Sequence, residues 1–216
     1  MTTSASPAPP RAGSVAGAGV RKAAASDLPA VADTLSAAFL DDPFMTWVMP
    51  DRQRRRELLP RCFEAVADAN HPYDEIYTTA SDAGVAVWIP PGPPPTDEEM
   101  EELVRWYAEV AEETADRLLC ALELMAGQHP ADPHAYLFVL GTRPEWQGRG
   151  LGSALLREVL DRCDRDGTPA YLEATSPDNQ RLYERHGFVV TGEIPLPDGP
   201  ALRPMWREPR PQPWRA

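Results

Sequence analysis

The stretch that most limits what this chain can become runs from Tyr136 to Leu156, YLFVLGTRPEWQGRGLGSALL. Its apolar run, Tyr136 to Leu140, reads as a strand. Gln147 opens a glycine-rich loop, and from Arg149 to Arg165 a helix follows with Leu151, Leu155, Val159 and Leu160 at helical spacing. Such a junction is an anion cradle. Glycines let a backbone approach a phosphate closely, and the first helical N–H groups have no intrahelical acceptor. The helix dipole adds about half a positive charge at the same point. The stretch predicts a phosphate-bearing ligand.

Three ligand classes compete for it. A mononucleotide P-loop needs a lysine followed by Ser or Thr after its second glycine, and none is present. A dinucleotide fold comes closer, since Gly148, Gly150 and Ser153 approach the three-glycine spacing and Glu173 stands roughly 20 residues on. Its third position is a serine, however, and too little chain follows for a doubly wound sheet. The third class rests on a second motif. QGRGLG, Gln147 to Gly152, is followed about thirty residues later by NQRLYERHGF, Asn179 to Phe188, with a strand between.

The rest of the chain sets the frame. A first strand is expected over Val20 to Ala24. Ser26 then caps a helix carrying Leu28, Val31, Leu35 and Phe39, which ends near Asp41-Asp42-Pro43. A helix over 52–69 and a hairpin of Glu75 to Ala80 with Val85 to Ile89 come next. Thr96 and Glu99 have capping-box spacing at the head of a long helix, about 97–126. After the organising stretch come a strand Ala170 to Ala174, a helix Pro177 to His186, and strands Phe188 to Val190 and Leu202 to Trp206. This order predicts an α+β, or mixed α/β, layer fold.

Composition then excludes several classes. A chain of 216 residues, 43% apolar, suits one domain, placed at 18–208 between an Ala/Ser/Pro-rich tail expected to be disordered (1–17) and a loose tail (209–216). Net charge is −12 with no basic tract beyond Arg52 to Arg56, which argues against nucleic acid. No run approaches the roughly 20 apolar residues of a membrane span, and the N-terminus lacks a signal-peptide core, so a cytoplasmic location is expected. Cys62, Cys120 and Cys163 are scattered, and no metal site is expected. Lys22 is the sole lysine, which disfavours Schiff-base chemistry.

The paired motifs resemble the GNAT superfamily of acetyl-CoA-dependent N-acetyltransferases. That resemblance implies a central, mostly antiparallel twisted sheet with helices on both faces, and acetyl-CoA as cosubstrate. It implies that Gln147, Gly148, Arg149, Gly150, Leu151, Gly152 and Ser153 hold the CoA pyrophosphate, chiefly on backbone N–H groups. Leu140 and Thr142 fall where the family's central strand offers main-chain hydrogen bonds to pantetheine and the acetyl carbonyl. Asn179 is a further CoA contact, although it stands one helical turn before Tyr183 where the superfamily usually has two. A narrower resemblance, to puromycin N-acetyltransferase and its relatives, rests on Ala38-Phe39, Asp42-Pro43, Val85 to Trp88, Pro169 to Glu173 and Pro197 to Pro200.

Amide formation from a thioester needs a neutral amine, a stabilised oxyanion and a proton for the departing thiolate. The family motif makes Tyr183 the candidate general acid, with an ordinary pKa of roughly 10. Glu173, a carboxylate inside an apolar strand, is the candidate base, directly or through a water. Strand alternation could instead turn it outward, and Asp41, Asp42 and His134 are rivals, the aspartates as anchors for a cationic amine. His134 reads otherwise as a surface histidine. Phe44, Trp47, Trp88, Trp106 and Tyr107 are candidates for an acceptor pocket or for the core. The expected reaction is acetylation of a primary amine on a small molecule, an aminoacyl-nucleoside antibiotic among the candidates, by direct transfer in a ternary complex of a monomer or homodimer. Protein or peptide α-amine acetylation and a non-catalytic acetyl-CoA-binding module are the alternatives.

Overall fold

The computed structural model describes residues 19–92, 105 and 115–210. Both tails in large part, the Thr96–Glu99 cap, most of the expected long helix, Trp106 and Tyr107 lie outside them. In chain order the elements are β1 (Val20–Lys22), α1 (Leu28–Phe39), α2 (Pro43–Val48), α3 (Arg52–Asn70), β2 (Ile76–Thr79), β3 (Gly84–Ile89) and α4 (Ala115–Ala126). They continue as β4 (Ala135–Thr142), α5 (Leu151–Asp166), β5 (Ala170–Ala174), α6 (Pro177–Arg185), β6 (Val189–Val190), β7 (Ile194–Pro195) and β8 (Ala201–Arg207). No described helix is long and apolar enough to cross a membrane.

The strands form one eight-stranded sheet in the order β1-β2-β3-β4-β5-β8-β6, with β7 also on β8. Among the described residues every pairing is antiparallel except β4 with β5. The α+β fold class is as expected.

Period-two alternation divides β3 between two cores. Val85 and Val87 face α1 and α3, packing with Val31, Leu35, Leu58, Leu59 and Phe63. Ala86 and Trp88 face α5, packing with Leu137, Leu155, Leu156 and Val159. Burial on both faces explains why this strand reads as a continuous apolar run. It also places Trp88, 1% exposed, in the core under α5.

One irregularity prepares the site. Val87 pairs with Val139 but Trp88 pairs with Leu137, so Phe138 is an extra residue on β4. A bulge bends its strand. β4 and β5 pair only at Ala135–Ala170 and Tyr136–Tyr171 and then part, which leaves the β5-facing edge of β4 from Leu137 onward without a strand partner.

Two local readings are corrected. Ser26 lies inside a 3-10 turn, Ala25–Asp27, and it is Asp27 that precedes α1, its carboxylate accepting from Ala24 N–H at 2.8 Å. Asp42-Pro43 ends one helix and also starts another. Asp42 accepts from the N–H groups of Phe44 (2.9 Å) and Met45 (3.1 Å), and Pro43 occupies the first turn of α2, where its missing N–H costs nothing.

Candidate active site

The parted ends of β4 and β5 lead to two helix N-termini, those of α5 and α6. At the first, Gln147 donates its side-chain amide to the Thr142 carbonyl at 3.2 Å, tying the loop back to the strand end. Gly148 and Gly150 have φ of 71° and 85°, a region that costs other residues about 1–2 kcal/mol. A Cβ on either would meet nothing within 4 Å, so the space over the loop is open. The first helical bond of α5 runs from Ala154 N–H to Gly150 C=O at 3.0 Å, which leaves the N–H groups of Leu151, Gly152 and Ser153 ahead of the ladder. This is a concave row of donors at a positive helix end, and it fits a pyrophosphate.

The side chains of this loop serve different ends. Leu151 is buried in the core, so only its backbone is available to a ligand. Gly152 brings α5 against α6, where a Cβ would lie 3.3 Å from Leu182. Arg149 is exposed, its guanidinium 4.9 Å from the Trp146 ring centroid. Arg143 instead bonds Thr34 on α1 at 3.0 Å.

Across the opening, Tyr183 is buried on α6, stacked edge-on against Phe188 at 6.1 Å. Its hydroxyl bonds to no described residue. Burial, and then the charge of Asp42, push its pKa upward, so it stays protonated at neutral pH. Asp42 is held by a chain of contacts: Thr175 donates to it at 3.0 Å, and Asn179 donates to Thr175 at 2.9 Å. Burial raises the Asp42 carboxyl, while the bonds from Met45, Thr175 and Phe44 oppose that shift. The Asn179 carbonyl accepts from Ser176 N–H at 3.0 Å, completing a capping box at the start of α6. Asn179 thereby braces α6 and Asp42.

Glu173 faces the opposite side of β5 from α5, with a side chain only 4% exposed. Tyr136 donates to its Oε2 at 2.8 Å, while Oε1 is buried without a hydrogen bond. Burial pushes its carboxyl up to about 7 against the opposing Tyr136 and Tyr171 hydroxyls. His129 Nδ1 lies 4.0 Å from Oε1, and burial and His134 push His129 down to about 4, so it is neutral at pH 7. Rings of His129, His134, Tyr136 and Tyr171 pack around the carboxyl at centroid spacings of 4.9 to 6.4 Å. His134 is 8% exposed, its Nδ1 2.6 Å from the Asp132 carbonyl, and so is no surface histidine. Asp41 is turned away, paired with Arg52 at 2.8 Å.

Aromatic walls stand nearby. Phe44 stacks on Trp47 at 6.5 Å, and the Trp47 indole donates to the Pro197 carbonyl at 2.8 Å, pinning the β7–β8 turn to α2. Sequence reasoning missed Tyr136, His129, Thr175 and His186. Tyr136 was visible as a hydroxyl inside the organising stretch, but which carboxyl it meets depends on strand order.

The geometry agrees with comparison to known proteins. The model of the acetyltransferase (GNAT) family matches residues 73–188. A solved structure from Corynebacterium glutamicum, described as histone acetyltransferase HPA2 and related acetyltransferase, is 30% identical, with a TM-score of 0.66 over 90% of this chain and 97% of that one. An uncharacterized N-acetyltransferase of Schizosaccharomyces pombe is 26% identical over 196 residues, 82% of this chain and 76% of its own. A mycothiol acetyltransferase of Brachybacterium faecium is 41% identical over 64 residues, 28% of this chain and 19% of that protein. With its sheet order, parted strands and open cradle, the chain belongs to the GNAT family of acetyltransferases, enzymes that take their acetyl group from acetyl-CoA.

Proposed function

We propose that this enzyme acetylates a primary amine on a small molecule by direct transfer within a ternary complex. The observation that carries this reading is Tyr183, a buried tyrosine whose hydroxyl bonds to no described residue, on the helix that begins where β5 leaves β4. Acetyl-CoA supplies an activated thioester and a thiol leaving group. The backbone N–H groups of Gly148 to Ser153 hold its pyrophosphate, and the free edge of β4 around Leu140 and Thr142 orients the pantetheine arm. Tyr183, kept protonated by burial, gives its proton to the departing sulfur. Glu173 receives the amine's proton through the Tyr136 hydroxyl. As Tyr136 accepts a proton from the ammonium, it passes its own to Oε2, and the amine is freed to attack.

The acceptor lies against the sheet face of Tyr136 and Phe138, walled by Phe44 and Trp47. These rings support an acceptor with an apolar or aromatic part, and the narrower resemblance points to an aminoacyl-nucleoside antibiotic of the puromycin kind. Three free cysteines suit a reducing cytoplasm, where acetyl-CoA is available. The description of the Corynebacterium neighbour raises a second reading, a protein amine as acceptor. One panel tests both: purified enzyme, acetyl-CoA and a set of amines including puromycin, tryptamine, a diamine and basic peptides, with products identified by mass. Acetylation of small amines in preference to every peptide is expected. Acetylation confined to peptides would establish the second reading instead.

A further inference from the structure

The chain carries a net charge of −12, yet one flank of the cradle is basic. Ser153, in the first turn of α5, is hydrogen-bonded through Oγ to Nε2 of His186 at 3.0 Å. Arg157 stands four residues after Ser153 on the same face of α5, and Arg185 directly precedes His186. The charged groups facing His186 are Arg157, Arg185, Arg207 and Arg210. Asp164 lies between two of them: it pairs with the Arg207 guanidinium and accepts from the backbone N–H of Arg210, each at 2.7 Å, and against its burial both arginine charges hold its carboxyl down. Arg157 and Arg185 are exposed and make no ion pair among the described residues.

Two unpaired arginines, a half-buried histidine and a serine hydroxyl thus converge beside the first turn of α5. Gathering like charges on an acidic protein raises its energy, and an anion between them reverses the sign. The cradle accounts for the pyrophosphate of CoA. CoA carries a third phosphate, on the ribose 3′ position, close in covalent distance to the second.

We propose that Ser153, Arg157, Arg185 and His186 form a second anion subsite that takes the 3′-phosphate of CoA. The subsite rests on the cradle reading, since the pyrophosphate must sit at Gly148 to Ser153 for the ribose to reach it. Guanidinium groups suit this role because their planar donors meet phosphate oxygens two at a time. His186 adds a coupling to pH. Burial and the surrounding arginines hold its imidazole below the ordinary range, and a phosphate dianion alongside opposes both. CoA binding therefore draws a proton onto His186.

Calorimetry with CoA, with dephospho-CoA lacking only the 3′-phosphate, and with inorganic phosphate tests the assignment, on the wild type and on the double variant Arg157→Gln/Arg185→Gln. The wild type should bind CoA roughly tenfold more tightly than dephospho-CoA. The double variant should lose that preference while binding dephospho-CoA as the wild type does. In NMR titrations the His186 resonance, assigned with His186→Gln, should show a higher pKa with CoA than with dephospho-CoA. Equal wild-type affinity for the two compounds overturns the subsite and leaves the cradle standing, whereas failure of both to bind overturns the cradle as well. Binding of inorganic phosphate at these arginines without a preference for CoA would make the patch a general anion site and also overturn the assignment.

Discussion

Tyr136 on β4 donates its hydroxyl to Oε2 of Glu173 on β5 at 2.8 Å, spanning the place where the two parallel strands part. The contact joins a carboxyl that cannot reach solvent to a ring that borders the opening.

Ionisation of Glu173 has a measurable price in stability. Burial places the Glu173 carboxyl at about 7 against an ordinary 4.5, so the folded state keeps a proton that the unfolded state gives up between those values. The contribution to stability is full below about 4.5 and is lost as pH rises through 7. The difference is on the order of 3 kcal/mol. Glu173→Gln should therefore melt above the wild type at pH 8, with the gap narrowing by pH 5. A gap that does not change with pH would contradict the buried, proton-holding carboxyl.

The same group should shape catalysis. Activity of the wild type should fall as pH drops below about 7, where Glu173 becomes protonated and cannot accept a proton. Glu173→Gln should lose this acid limb and about 10²-fold or more in kcat/KM. Tyr136→Phe should move the limb, because it removes both the relay hydroxyl and a bond that stabilises the carboxylate. A retained limb in Glu173→Gln assigns the base elsewhere.

Tyr183→Phe separates chemistry from packing. The ring stays in place and the lost hydroxyl has no described partner, so the melting temperature should hold. The maximal rate at saturating acetyl-CoA should drop by about 10²-fold. An unchanged rate and pH profile would remove Tyr183 from the acid role.

The two ends of the glycine motif should fail differently. Gly150→Ala puts a side chain where φ is 85° and into the open space over the loop, so acetyl-CoA affinity should fall by calorimetry with a modest loss of stability. Gly152→Val presses on Leu182, already 3.3 Å from a bare Cβ, and should chiefly lower the melting temperature by separating α5 from α6.

Trp47→Phe keeps an aromatic wall but removes the indole bond to Pro197 that pins the β7–β8 turn. The acceptor KM should rise while the acetyl-CoA dissociation constant stays the same, with a stability cost of about 1 kcal/mol. Parallel weakening of both substrates would show that the turn does not border the acceptor alone.

The elements built on strong local signals were legible in the sequence: the Ala170–Ala174 strand has the expected bounds, and α5 and α6 differ from expectation by a residue or two. α2 was not, because six residues give too short a period to read and its cap doubles as the end of α1. The cradle was legible because glycine spacing and a helix start are local features. Glu173 stood out as a charge in an apolar strand, but its partner did not, since Tyr136 precedes it by 37 residues and meets it only through the one parallel pairing of the sheet. Asn179 is the converse case: its place in a recognised motif suggested a ligand contact, whereas its bonds to Ser176 and Thr175 could be read only from the folded start of α6.

Direct transfer is the central claim, and rapid mixing of enzyme with acetyl-CoA tests it without knowledge of the physiological acceptor. The enzyme alone should release no CoA, and on addition of a free amine that the panel identifies as an acceptor one CoA should appear for each amide formed. A burst of one CoA per enzyme without amine, accompanied by an acetyl group on the protein by mass spectrometry, would contradict the account.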